Sequence, residues 1–198
     1  MNKDKAIILC GMPGAGKGEQ SGRLTKELNF VYISTGNLFR SLDKNTQLGK
    51  KVHDLMHAGI LVDDDTVNEM VETEIKHGHN LVFDGYPRSI SQAKWLLKKL
   101  EAGNFDVIAI LLEITEETAI ARRDNRIAET IAAGEKPRKD DLDPMALPKR
   151  FKEYYEKTAP MIEFLRKKLG NNFYSINTDG NTIEYTTSVV ADILKVKK

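Results

Sequence analysis

Short apolar runs alternate with longer amphipathic stretches along the chain. Lys5–Cys10 (KAIILC), Val31–Ser34 (VYIS), Leu81–Asp84 (LVFD), Val107–Ile114 (VIAILLEI) and Phe173–Ile176 (FYSI) carry strand character, while Leu61–Val62 is too short to count. Ile and Val dominate the first and fourth runs, which read as continuously apolar. That is the pattern of central parallel strands buried on both faces. Between the runs, apolar positions return with helical spacing. Lys17–Leu28 follows a glycine turn, and Ser89–Leu100 repeats Ile90, Ala93, Leu96, Leu97 and Leu100. Glu116–Ala132 is charged and Ala-rich. Phe151–Leu169 carries Phe151, Tyr154, Tyr155, Ile162 and Leu165 on a broad face, and Ile183–Leu194 is the last such stretch. Alternating strands and helices predict an open α/β sheet covered on both sides. Two stretches interrupt it. Residues 36–79 hold no convincing strand and about three short helices, and residues 131–147 form a flap rich in Gly, Pro and charge.

Composition narrows the partners more than the fold. The 198 residues are 40% apolar and 30% charged, enough for a core without disulfides or metals. Thirty basic against 29 acidic residues leave a net charge of +1, so no bulk electrostatic case exists for nucleic acid or a membrane surface. A single Cys excludes an internal disulfide and a thiolate metal cluster. The first apolar run is too short for a signal peptide, and no stretch approaches a membrane span. The expectation is a soluble cytoplasmic protein, monomeric by default.

The chemistry begins at Gly11-Met12-Pro13-Gly14-Ala15-Gly16-Lys17-Gly18, straight after a strand and straight before a helix. Glycines allow a tight turn whose backbone N–H groups point inward and extend the anion site of the next helix N-terminus. Lys17 would reach the outer phosphates of a nucleoside triphosphate. The pattern G-x-x-x-x-G-K-[ST] is matched up to its last position, where Gly18 offers no hydroxyl for Mg²⁺. Asp84 ends a strand near this loop, where an acidic residue can hold Mg²⁺ directly or through waters. Arg88 follows Gly85-Tyr86-Pro87, a fixed loop presenting a guanidinium fork, and Arg40 follows Thr35-Gly36 as a second fork. Two arginines in separate motifs suit a monophosphate. Arg122 and Arg126 share a helix face, whereas Arg123 points elsewhere. With Arg138 and Arg150 they form a set of like charges that an anion must compensate, and phosphates in transfer are such an anion.

These motifs resemble those of the adenylate kinases and their nucleoside-monophosphate kinase relatives. GMPGAGKG is similar to their phosphate loop, and ISTGNLFR (Ile33–Arg40) and FDGYPRSISQA (Phe83–Ala93) to their two monophosphate-binding blocks. RFKEYYEKTAPMIEFL (Arg150–Leu165) resembles the helix after the lid. The resemblance implies a three-layer P-loop fold with a five-stranded parallel sheet, a helical monophosphate-binding insert and a short lid. One kinase domain would span 1–198, with the AMP-binding insert at 34–79 and the lid at 127–142.

The implied reaction is Mg²⁺-dependent transfer of the ATP γ-phosphoryl group to AMP, giving two ADP. Gly14, Ala15, Gly16, Lys17, Gly18 and Glu19 would hold the ATP phosphates, with Arg122 along the ATP side, Arg126 on its phosphates and Thr182 at its base. Thr35 and Gln92 would contact the adenine of AMP, with Gly85, Tyr86 and Pro87 beside it and Ile60, Leu61 and Val62 closing over it. Arg40 and Arg88 would clamp the AMP phosphate. Arg138 and Arg150 would contact the transferring phosphoryl group and the AMP phosphate, so that Lys17, Arg88, Arg122, Arg138 and Arg150 make up the catalytic set. Asp84 and Glu19 would serve the Mg²⁺ mostly through water. Asp140, ahead of Asp141, would hold the lid arginines. The lid has no Cys or His, so no zinc site is expected there.

Two positions depart from the family pattern. Glu19 stands where a threonine is usual, and Asn37 where an aspartate is usual. The expectation is that the changes compensate, Glu19 supplying the charge that Asn37 lacks. Tyr86 replaces the usual Phe and keeps the ring. Thr35 favours AMP, since pyrimidine-preferring relatives commonly have a smaller residue there. UMP/CMP kinase activity, a weakly active nucleotide-binding protein and a nucleotide-hydrolysing switch are the competing readings. The last lacks a use for Arg40 and Arg88.

Overall fold

A computed structural model describes residues 3–58 and 62–195, so Ile60 and Leu61 lie outside the described residues. Strands β1 (Lys5–Cys10), β2 (Val31–Ser34), β3 (Leu81–Asp84), β4 (Asp106–Glu113) and β5 (Phe173–Asn177) form one parallel sheet in the order β2-β3-β1-β4-β5. β4 starts and stops one residue before its apolar run, because Asp106 donates its N–H to Asp4 and joins the ladder opposite Lys5. Helix α1 (Lys17–Leu28) links β1 to β2. Helices α2 (Thr35–Ser41), α3 (Gln47–Ala58) and α4 (Asp64–Glu72) fill the passage from β2 to β3. α5 (Ile90–Ala102) leads to β4, and α6 (Glu116–Ala132), α7 (Lys139–Leu142), α8 (Ala146–Glu153) and α9 (Ala159–Leu169) lead to β5. α10 (Ile183–Lys195) follows it. Among the described residues no helix is long and apolar enough to cross a membrane.

The continuous apolar character of β1 follows from burial on two faces. Ala6, Ile8 and Cys10 pack with Ala93, Leu96 and Leu100 of α5 and Met161, Ile162 and Leu165 of α9. Ile7 and Leu9 face the other way, with Leu24 of α1, Ala119 of α6 and Val190 and Leu194 of α10. α1 and α5 therefore leave neighbouring strands β1 and β3 toward opposite sides of the sheet. That divergence opens a crevice at the strands' carboxyl ends, the usual ligand position in an open α/β sheet.

Local signals set the helix ends. Ser89 caps α5 by accepting from the Gln92 N–H, Thr115 caps α6 by accepting from Thr118, and Asp63 caps α4 by accepting from Thr66. The expected single helix over Phe151–Leu169 needs correction. α8 begins at Ala146, and a π turn at Tyr154–Thr158 separates it from α9. The π turn re-phases the apolar stripe, so Phe151 joins the α1 side of the sheet while Met161 and Leu165 join the α5 side.

Candidate active site

The phosphate loop lies between β1 and α1, and its shape depends on glycine. Gly11 has φ 141°, and a Cβ there would stand 2.5 Å from the carbonyl oxygen of Leu112. Gly14 has φ 88°, with a hypothetical Cβ 3.0 Å from Cα of Ala119. The loop is thus clasped between β4 and α6, with no room for a side chain at Gly11 and little at Gly14. Gly16 occupies the N-cap of α1 and supplies no side-chain oxygen to the first-turn N–H groups. Those donors are the ones an anion can take. Lys17 Nζ donates to the carbonyls of Gly11 (2.8 Å) and Met12 (3.0 Å), which holds the ammonium over the loop. Burial, with help from Arg88 and Arg150, pushes Lys17 down to about 8, while Asp84 works the other way.

Ser34 pairs with Asp84 across β2 and β3, so both chain exits emerge at one level. Buried Thr35 donates its hydroxyl to the Gly85 carbonyl (3.0 Å), which also accepts from Nε of Arg88 (2.7 Å). Gly85 has φ 74°, and a Cβ there would meet Nη2 of Arg88 at 3.0 Å. Burial and the neighbouring Arg150 lower Arg88 to about 10, which leaves it a cation at neutral pH. Arg40 lies over Gly36, its guanidinium nitrogens 3.3 Å from where a Cβ would stand, and donates to Asn37 Oδ1 at 2.6 Å.

One cleft with about 1110 Å³ of internal space joins these parts. Gly14, Ala15, Gly16, Lys17, Gly18 and Glu19 line it, as do Thr35, Arg40, Val62, Asp84, Gly85, Pro87, Arg88, Gln92, Arg122, Arg126, Arg138, Arg150 and Thr182. The Tyr86 side chain lies elsewhere. It is buried in the core, its hydroxyl on Asn68 Oδ1 and its ring edge-on to Trp95. The ring of the usual Phe would fill the same space without the hydroxyl, so what Tyr86 adds is a bond to Asn68 of α4.

The arginines are braced in different ways. Arg122 donates from Nη2 to the Thr178 carbonyl at 2.6 Å and from Nη1 to the Gly14 carbonyl at 3.4 Å, bridging the phosphate loop and the turn after β5. Arg126 makes a two-pronged pair with buried Asp141, at 2.7 and 3.1 Å. Asp141 therefore holds an arginine, while the side chain of Asp140, the residue expected to do so, lies outside the described residues. Arg123 pairs with its neighbour Asp124, on the helix surface.

The carboxylates bear on a metal. Asp84 Oδ2 accepts from the Tyr32 hydroxyl at 2.8 Å and stands 3.5 Å from where a Cβ on Gly18 would be. Burial and Asp84 push the Tyr32 phenol up to about 12, which keeps it a donor. Among the described residues no group of three or more His, Cys, Asp or Glu could hold a metal ion. Asp84 with an anion loop instead fits a magnesium ion carried on a triphosphate, held by phosphate oxygens and waters. The Glu19 carboxylate is half-exposed and pairs with Arg23, which also pairs with Glu184. Glu19 and Asn37 thus bind different arginines. Cys10 ends β1 as a buried thiol that burial pushes up to about 12, so it is an inert wall group.

Tyr32, Asp64 and Thr178 were not among the expected site residues. Tyr32 is one strand position from the ISTG block, and Asp64 sits in the acidic run after Val62. Only the tertiary pairing of β2 with β3, and of α4 with α5, brings them to Asp84 and Gln92. Thr178 carries no signal beyond its place just past β5.

The comparisons with known proteins agree on one group. A profile of the adenylate kinase family matches residues 9–169. The adenylate kinase of Bartonella tribocorum is 40% identical over 167 residues, covering 82% of this chain and 86% of the relative. That of Bartonella henselae is 41% identical over 169 residues (82% and 88%). That of Agrobacterium fabrum is 43% identical over 163 residues (80% and 83%).

Proposed function

Because the chain belongs to the adenylate kinase family, whose members are nucleoside-monophosphate phosphotransferases, we propose that it transfers the γ-phosphoryl group of ATP reversibly to AMP. The products are two ADP. The observation that carries this reading is one cleft lined both by the Lys17 phosphate loop and by the Arg40–Arg88 pair. A hydrolase would use the first anion site and leave the second without a role.

In the reaction an AMP phosphate oxygen attacks the γ-phosphorus in line. The bond from phosphorus to the β–γ bridging oxygen breaks, and ADP leaves. The attacking oxygen is already ionised, so no side chain need act as base. Catalysis is positioning and charge stabilisation. The loop N–H groups and Lys17 would hold the triphosphate, with Glu19 at the loop's edge and Thr182 beside the ATP base. Arg40 and Arg88 would hold the AMP phosphate. Arg122, Arg126, Arg138 and Arg150 would gather on the transferring group, with Arg126 exchanging Asp141 for phosphate as the lid (127–142) closes. The helical insert (34–79) would close from the other side, and closure would exclude water. Magnesium, when bound with ATP, would supply Lewis-acid charge at the phosphates, and Asp84 would hold it through water.

Thr35 and Gln92 would face the adenine of AMP. The Thr35 hydroxyl is tied to Gly85, so the base would meet its methyl group. The chain would work as a monomer in the cytoplasm. ADP formation from Mg·ATP with AMP, CMP, UMP or GMP as acceptor tests the reading. Fast turnover confined to AMP is expected. Preference for CMP or UMP would make it a pyrimidine kinase, and nucleotide binding without turnover would make it a binding protein.

A further inference from the structure

The amide of Gln92 has one orientation, and another residue fixes it. Gln92 Oε1 accepts from the backbone N–H of Arg88 at 2.7 Å, and Gln92 Nε2 donates to Asp64 Oδ1 at 2.7 Å. The other carboxylate oxygen of Asp64 accepts from the Ser89 hydroxyl at 2.7 Å, and Ser89 Oγ accepts from the Gln92 N–H. Asp64 lies in the first turn of α4, in the insert, while Ser89 and Gln92 open α5. A backbone N–H can only donate and an ionised carboxylate can only accept. Rotating the Gln92 amide by half a turn would therefore set oxygen against carboxylate and N–H against N–H at once.

We propose that Asp64 is a specificity-determining residue, which locks the Gln92 amide so that the acceptor pocket takes a 6-amino purine and rejects a 6-oxo purine. The proposal rests on the reading that Gln92 faces the acceptor base. Gln92 is buried to within 3% and lines the cleft. Its amide keeps one oxygen lone pair and one N–H beyond the two bonds above. Adenine offers the matching edge, an N6–H donor beside the N1 acceptor. Hypoxanthine and guanine offer the reverse, an O6 acceptor beside an N1–H donor. A glutamine free to turn over would serve both edges equally well. The lock removes the second option, and a site whose buried polar groups go unpaired rejects the wrong ligand strongly. Asp64, which does not itself line the cleft, would thus act on the base through Gln92.

The test compares AMP with inosine monophosphate, which swaps the 6-amino edge for the 6-oxo edge without the 2-amino group of guanine. Asp64→Asn keeps the size and can turn its own amide to suit either orientation of Gln92. The Arg88 N–H still favours the native one, so relaxation is partial. The expected result is a fall of about tenfold in the ratio of kcat/KM for AMP over inosine monophosphate, carried by the acceptor KM, with the ATP KM unchanged. Binding without turnover is read from Trp95, the chain's single tryptophan, whose ring meets Tyr86 edge-on. Equal losses for both acceptors would show that Asp64 only braces α4 on α5, and the proposal would fall. If Asp64→Asn does not fold, Ser89→Ala releases the carboxylate's other anchor and should move the ratio the same way. An unchanged ratio there overturns the proposal too. Gln92→Ala separates the layers. Should it leave the acceptor KM and the ratio untouched, Gln92 does not face the base and the underlying reading fails. Should Gln92→Ala raise the AMP KM while Asp64→Asn keeps the ratio, only the lock fails.

Discussion

Lys17 carries the sharpest residue-level consequence, because its two equilibria run in opposite directions with pH. Its folded value of about 8 lies below the ordinary 10.5. Between those values the unfolded chain binds more protons than the folded one, so this lysine makes the free protein more stable as pH rises through that window. A bound phosphate needs the ammonium, so above pH 8 ATP must bring a proton with it. ATP affinity should therefore fall toward tenfold per pH unit above about 8. Calorimetry in two buffers of different ionisation heat should register little proton uptake at pH 7 and close to one proton at pH 9; flat affinity across that range would rule out Lys17 as the phosphate ligand. Glu19 and Asn37 give a second residue-level prediction. Glu19 pairs with Arg23 and Asn37 with Arg40, two different arginines. The effects of Glu19→Thr and Asn37→Asp on the Mg²⁺ requirement should then add to within about 0.5 kcal/mol. A larger coupling would mean that the two share a metal shell after all, the compensation expected from the sequence. Lys17, Asp84 and Arg88 were legible because a glycine turn, a strand end and a fixed loop leave such residues few other uses. Tyr32 and Asp64 were not, since a hydroxyl on a strand and a carboxylate in an acidic run are usually solvated.

Elements were legible where caps and periodicity agree. α1 and α6 run over the expected residues because glycine precedes one and Thr115 caps the other, while apolar spacing continues without a break. The stretch from Ala146 to Leu169 was harder. A π turn adds a residue and re-phases the apolar stripe, but apolar positions continue on both sides of it, so Phe151–Leu169 reads as one helix although its two halves face opposite sides of the sheet. The phosphate loop is an element in its own right, and its glycines answer to neighbouring backbone as well as to a ligand. At Gly11 both the left-handed φ and the Leu112 carbonyl oppose a side chain. Gly11→Ala should cost more than about 1 kcal/mol of stability, a loss of roughly 2–4 °C in Tm per kcal/mol for a chain of this length. It should also weaken ATP, since the loop would have to move off β4. Thermal melting with and without ATP checks both. A normal Tm would mean that β4 yields easily, and that the loop's shape is set by the ligand rather than by the fold.

At the scale of the whole molecule, strand order does what no single motif can. β1 and β3 are neighbours although residues 11–80 separate them, and their exits diverge to opposite faces. The phosphate loop and the Arg88 loop thus open on one crevice, and β2, paired to β3, brings Thr35 and Arg40 to the same rim. The order of the motifs in the sequence, with its likeness to a known family, made this arrangement legible. The hydrophobic pattern alone points only to an α/β sheet covered on both sides. Convergence of so many cations also sets a cost. Arg88 and Arg150 both lower the proton affinity of Lys17, Arg150 lowers that of Arg88, and Arg126 is paired with Asp141. A ligand that fills both anion sites at once would relieve that repulsion in one event. Two adenosines bridged by phosphates should therefore bind this chain about 10²–10⁴ times more tightly than ATP alone. Arg88→Ala, by removing the far anion site, should erase most of that advantage while leaving ATP affinity nearly intact. Titration calorimetry with both ligands on both proteins measures it. Equal affinities for the bridged ligand and ATP on the unaltered chain would mean that the two sites do not face each other across the crevice.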